Sequence, residues 1–140
     1  MKTHRSVTSS RRKNRRAHFQ APSSVRYRLM SAALSKALKE THKVNAMPVR
    51  KDDEVEIVRG QYKGEKGKVN AVYRKRWCLY IEKVQRNKVN GTMAKIPIHP
   101  SNVRITKLNM TEDRKKLLAR KRAGLGNVGK EKITIEEANQ

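Results

Sequence analysis

Apolar residues in the middle of the chain recur at every second position. Val55 and Ile57 alternate with charge, as do Val69, Ala71 and Tyr73, then Trp77, Leu79 and Ile81, then Ile96 and Ile98, then Val103 and Ile105. Period two over short runs marks half-buried strands, because successive side chains of a strand point to opposite faces. Five such runs between Val49 and Thr106 predict a small barrel over residues 49–106. Trp77, Tyr73 and Tyr80 are candidates to stack on bases, but the alternation puts Trp77 and Tyr73 in the core and leaves Tyr80, on the face opposite Leu79 and Ile81, open to either role.

Turn chemistry separates the runs. Arg59-Gly60-Gln61-Tyr62-Lys63-Gly64-Glu65-Lys66-Gly67 lies between the first two, and its glycines are expected to reach positive φ and fold a tight loop. Asn90-Gly91 predicts a type I′ hairpin, and His99-Pro100-Ser101-Asn102 closes the set as a turn.

Outside this region the period is helical and the apolar residues thin out. Residues 1–48 read as an arm. Within it, Arg11–His18 is expected to turn helical when its charge is neutralised, Pro22 interrupts, and Ser24–Met30 makes another turn. Ser35 is a suitable N-cap for a helix through Leu38 to His42, with Leu34 and Leu38 on one face. At the other end, Thr111, Glu112 and Asp113 place an N-cap and two carboxylates at the start of a basic helix assigned to residues 107–123. Gly124, Gly126 and Gly129 are expected to loosen residues 124–140 into a flexible tail. There is no internal repeat.

The charge distribution adds an expected partner to the small barrel. Before Glu40, the first acidic residue, the chain carries eleven Lys or Arg, including Arg11, Arg12, Lys13, Arg15 and Arg16. A solvated face would mix signs, and a segment this one-sided repels itself until a polyanion neutralises it. The whole chain has 35 Lys+Arg against 12 Asp+Glu, a formal net charge of +23, which points to nucleic acid. With 36% hydrophobic and 4% aromatic residues in 140, one small core is all that can form.

The remaining chemistry is sparse. One cysteine, Cys78, excludes an internal disulfide and a Cys-built zinc site, and His4, His18, His42 and His99 have no ligand spacing. Adjacent acids such as Asp52, Asp53 and Glu54 point to opposite faces of a strand, so they read as local charge balance rather than a metal site. No Ser/His/Asp set, nucleotide-binding P-loop or general-acid pair is visible, and an enzyme is not expected. No run reaches the roughly 18 apolar residues of a membrane span. The Arg- and Ser-rich start shares its composition with mitochondrial transit peptides, but Pro22 and few apolar residues weaken an amphipathic helix there.

Asp53 to Val72 has the form of a KOW motif: Val55-Glu56-Ile57-Val58-Arg59-Gly60 as strand, Tyr62-Lys63-Gly64 in the turn, and Gly67-Lys68-Val69 re-entering a strand. Together with Pro48-Val49-Arg50-Lys51, Val72-Tyr73-Arg74-Lys75-Arg76, Tyr80-Ile81-Glu82-Lys83-Val84-Gln85-Arg86, Asn90-Gly91-Thr92 and Ile98-His99-Pro100-Ser101-Asn102-Val103, it resembles the eukaryotic large-subunit ribosomal proteins of the L twenty-six type, counterparts of bacterial L twenty-four. The likeness continues at Arg16-Ala17-His18-Phe19-Gln20-Ala21-Pro22-Ser23 and at Asp113-Arg114-Lys115-Lys116.

The resemblance implies a mainly β fold, an SH3-like (KOW) barrel with basic, partly helical N- and C-terminal extensions. It implies a structural role: binding the 5′ region of large-subunit rRNA near the peptide exit tunnel and supporting subunit assembly, in the cytoplasm after a nucleolar or nuclear assembly stage. Neighbouring ribosomal proteins and exit-tunnel factors are the further partners, with no cofactor, metal or homo-oligomer. The expected rRNA contacts are Arg11, Arg12, Lys13, Arg15, Arg16, His18, Arg26 and Arg28 in the arm, and Arg59, Lys63, Lys66 and Lys68 in the KOW loop. Arg74, Lys75, Arg76, Arg114, Lys115 and Lys116 complete them. Gly60, Gly64, Gly67, Asn90 and Gly91 are the expected structural turns, and the Asn90-Gly91 hairpin is expected to face the tunnel exit. The rival readings are a KOW-type transcription or elongation factor binding RNA, expected to repeat the motif where this chain has one copy, and a DNA-packaging protein, expected to have Lys/Ala-rich tails. An organellar ribosomal protein matches the extensions less well.

Overall fold

The computed structural model describes residue 2 and residues 4–137, with side chains through Gly124. Two short helices, α1 (Arg11–Phe19) and α2 (Ser23–Leu29), meet at Pro22, which caps α2. Strand β1 (Ser31–Leu34) follows, then helix α3 (Lys36–His42), where the Ser35 hydroxyl accepts from the Leu38 amide at 3.4 Å as expected of its N-cap. Next come β2 (Ala46–Pro48), β3 (Glu54–Ile57), β4 (Lys66–Tyr73) and β5 (Cys78–Ile81). The pair β6 (Gln85–Asn87) and β7 (Met93–Lys95) makes a separate two-stranded ribbon, then β8 (Val103–Lys107) and helix α4 (Glu112–Glu137) end the described chain.

The main sheet runs β2-β1-β8-β3-β4-β5, with every pairing antiparallel except β1 with β8. Ile98, beyond β7, bridges back to Leu79 of β5, so the chain curls into a small, mainly β barrel-like domain carrying helical extensions. Val55, Ile57, Val69, Leu79, Ile81, Val103 and Ile105 are all buried in one cluster, as the alternation requires.

The core reaches further into the arm than composition suggests. Met30, Ala32, Leu34, Val44 and Met47 join the same cluster, so the boundary expected at Pro48 does not separate core from extension. β1 is missed in the sequence because Ser31-Ala32-Ala33-Leu34 has no β-branched residue; its strand identity comes from lying between β2 and β8. Pro48 fits because β2 is an edge strand, where a missing N–H breaks no ladder.

The phase of β4 also differs from strict period two. Val69 pairs with Ile81 but Ala71 pairs with Tyr80, leaving Asn70 as the extra residue of a β-bulge. Beyond it the faces exchange: Val72 packs on the core and Tyr73 is 49% exposed, contrary to the expectation that Tyr73 is core. Trp77, at φ 58, caps the 3-10 turn Arg74–Arg76 and packs half-buried on the core rather than within β5. Ile96 and Ile98 lie outside named strands, packed against the core.

The ribbon turn is not type I′, which needs positive φ at both central residues: Gly91 has φ 80, and Asn90 is not among the positive-φ residues. The Gly91 amide instead donates to the Lys88 carbonyl at 3.0 Å, and the Lys88 amide to the Thr92 carbonyl at 2.9 Å, while Asn90 Oδ1 accepts from the Thr92 amide and hydroxyl. Helix α4 continues through Gly124, Gly126 and Gly129, where a loosened tail is expected. Glycine weakens a helix by about 1 kcal/mol against alanine but removes no backbone hydrogen bond. Residues 138–140 of that tail lie outside the described residues.

Candidate nucleic-acid interface

The KOW loop is built on two kinds of glycine. Gly60 and Gly64 have φ of 97° and 93° with open space around them, so they are turn glycines in the expected sense. Gly67 is not: it lies in β4, and a Cβ there would sit 2.6 Å from the Glu82 carbonyl oxygen and 2.7 Å from Ile81 Cγ2. It is small so that strand and following turn can touch. The loop closes through the Gly64 amide to the Ile57 carbonyl at 2.8 Å and the Lys63 amide to Gly60 at 3.2 Å, which leaves Arg59, Lys63 and Lys66 exposed. Lys68 is also exposed but is 3.3 Å from Asp52, and Lys107 is 3.5 Å from Glu54, so that flank of the sheet is charge-balanced.

Around the bulge of β4 the balance is one-sided. A shallow groove of about 620 Å³ lies along this strand, walled by Arg50, Lys51, Arg74 and Lys75 and including Asn70 and Tyr73. The bulge turns the Tyr73 ring outward, where it meets Tyr80 edge-on at 5.2 Å. Cations flanking an exposed aromatic ring supply phosphate partners and a stacking face together. Arg50, Lys51 and Tyr73 are absent from the expected contacts. The signal for Tyr73 is the bulge, which periodicity alone does not reveal, and Arg50 and Lys51 reach the groove through the fold.

The arm is held against this region by an aromatic and guanidinium clasp. The His18 imidazole stacks on the Trp77 indole with centroids 4.0 Å apart and planes 12° from parallel, and Arg26 Cζ lies 5.0 Å from the same ring. Arg26 donates to the carbonyls of Phe19 at 2.6 Å, Ala21 at 2.8 Å, Lys75 at 3.0 Å and Arg74 at 3.2 Å. Arg26 therefore serves as a tie between α2 and the barrel, not as a free RNA contact. Arg74 contributes to the same junction, donating to the Ser23 hydroxyl at 3.0 Å with its Cζ 5.2 Å from the Tyr27 ring. Arg11, Arg12, Lys13, Arg15 and Arg16 remain exposed along α1, as do Arg28, Lys75 and Arg76.

Arg114 is the clearest correction. Expected on an RNA-facing surface, it is 1% exposed and ion-paired with Asp53, itself 0% exposed. Its Nη1 donates to Asp53 Oδ1 and to the Asn109 carbonyl, and its Nη2 to Asp53 Oδ2 at 2.8 Å and the Pro48 carbonyl at 2.9 Å. Among the described residues its Nε has no partner. Asp53 also accepts from the Arg50 and Asn109 amides, each at 2.9 Å, so it locks α4 to the barrel instead of balancing local charge. Lys115 and Lys116 on α4 do stay exposed. Lys121, whose Nζ donates to the Ala46 carbonyl at 2.7 Å, has its pKa lowered by burial.

The family of eukaryotic L26 ribosomal proteins, which takes in their archaeal L24 counterparts, matches residues 8–121. The chain belongs to this ribosomal protein family. It is 55% identical over 121 residues to a protein of Schizosaccharomyces pombe named large ribosomal subunit protein uL24, covering 86% of this chain and 96% of that one. A protein of the same name from Littorina littorea is 49% identical over 122 residues, covering 86% and 85%. The span matched to the ribosomal family includes the clasp, the groove, the KOW loop and the Asp53–Arg114 lock. Among the described residues there is no group of three or more His, Cys, Asp or Glu placed to hold a metal, and no helix long and apolar enough to cross a membrane.

Proposed function

We propose that this chain is a structural, non-enzymatic constituent of the large ribosomal subunit that holds large-subunit rRNA between its arm, its KOW loop and the groove along β4. The observation that carries the reading is the convergence of Arg50, Lys51, Arg74 and Lys75 around the outward Tyr73, in a member of a ribosomal protein family. Contact with the 5′ region of that rRNA near the peptide exit tunnel, a nucleolar assembly stage and contacts with neighbouring ribosomal proteins extend the same proposal. Phosphate contacts from separate elements release many counterions, so binding should be tight at low salt and fall steeply as salt rises.

Filter binding of the full chain to large-subunit rRNA tests it. Lys51→Ala and Lys75→Ala should each make the slope of log K against log salt shallower by about 0.9, while Lys107→Ala, on the charge-balanced flank, leaves it unchanged. Equal slopes for all three would remove the groove from the interface. Tagged protein should sediment with large subunits in moderate salt; recovery only in free or polymerase-bound fractions would overturn the ribosomal assignment.

A further inference from the structure

A second concavity, of about 530 Å³, opens between α2 and α4, lined by Tyr27, Arg28, Asp113, Leu117, Arg120 and Lys121 among others. Its size falls in the roughly 300–1,000 Å³ range of small-ligand sites. Arg74, which covers Tyr27, does not line this cleft, so the ring presents other surface to it. Tyr27 and Leu117 put an aromatic ring and an apolar side chain in its lining, and Arg28, Arg120 and Lys121 put cations there. Asp113 lines the same cleft as these three cations, yet it is in none of the ion pairs found among the described residues. A site for phosphate alone would gain nothing from a carboxylate or from apolar lining.

We infer that this cleft binds one unpaired RNA nucleotide, its base against Tyr27 and Leu117, its phosphate on Arg28, Arg120 and Lys121, and its donor edge on Asp113. The inference rests on the RNA-binding reading above and adds base preference to it. Unstacked bases are recognised by stacking on aromatic rings and by hydrogen bonds to their Watson–Crick edges. A carboxylate accepts two parallel N–H groups well. Guanine offers two, N1–H and N2–H, side by side; adenine and cytosine offer one amino group; uracil offers one N–H flanked by two carbonyl oxygens that a carboxylate repels. The order expected is guanine first and uracil last.

Fluorescence anisotropy of the full chain with labelled RNA hairpins, identical except for a single bulged G, A, C or U, tests the inference. The G bulge should bind about tenfold more tightly than the U bulge, the scale of a bidentate base contact. Asp113→Asn should abolish that preference without weakening the U-bulge complex, and Tyr27→Leu should weaken all four, with melting by circular dichroism showing each variant folded. Equal affinities for the four bulges, or a preference that survives Asp113→Asn, would overturn the site while leaving RNA binding intact. Failure to bind any hairpin would overturn both. Displacement of the G-bulge hairpin by equimolar guanosine 5′-monophosphate would assign the cleft to a free nucleotide and overturn the RNA source.

Discussion

Replacing Arg114 by alanine tests the lock between barrel and final helix. The change removes four donations, two to the Asp53 carboxylate and one each to the Pro48 and Asn109 carbonyls. What remains is a carboxylate at 0% exposure held only by the Arg50 and Asn109 amides. Removing one partner of a buried pair destabilises by about 3–5 kcal/mol, because the other charge stays desolvated without compensation. Against a total stability of roughly 5–15 kcal/mol for a domain of this size, that is a large fraction. Trp77 is the only tryptophan and packs on the core, so urea unfolding followed by its fluorescence, with linear extrapolation, measures the loss directly. The double variant Asp53→Asn, Arg114→Met removes both charges and should regain more than half of it. A loss below about 1 kcal/mol for Arg114→Ala, or a double variant no better than the single one, would refute the account of the lock as a buried, mutually dependent pair.

Two further outcomes follow from the glycines and the clasp. Gly64→Ala should lose roughly 1–2 kcal/mol through its positive φ alone, whereas Gly67→Ala should lose about 1–3 kcal/mol by overpacking and shift the amide resonances of Ile81 and Glu82; unchanged Ile81 and Glu82 signals would show that no close approach exists there. Arg26→Ala should speed amide exchange over α1 and α2 by at least about tenfold, since hydrogen bonds to a charged donor contribute more than neutral ones, while β3, β4 and β8 exchange as before. An arm whose exchange is unchanged would mean that Arg26 does not hold it.

A residue whose role depends only on its near neighbours is legible in the chain before any fold is known. Val55 with Ile57, Leu79 with Ile81, and Val103 with Ile105 declare their strands through a period that any sheet enforces. Ser35 declares a helix start, and Gly60 and Gly64 declare a loop, because capping and positive φ are local requirements. The excess of Lys and Arg before Glu40 declares a polyanion partner in the same way, since self-repulsion needs no fold to be counted. The other roles come from contacts between distant segments. Ser31–Leu34 is a strand only because β2 and β8 flank it, and one extra residue at Asn70 reverses the faces of β4, turning Tyr73 out toward the groove. Arg114 and Lys115 are adjacent bases that no local pattern distinguishes. One is buried and the other exposed because Asp53, 61 residues earlier in the chain, supplies a desolvated carboxylate to only one of them, and that pairing exists only once distant segments have come together.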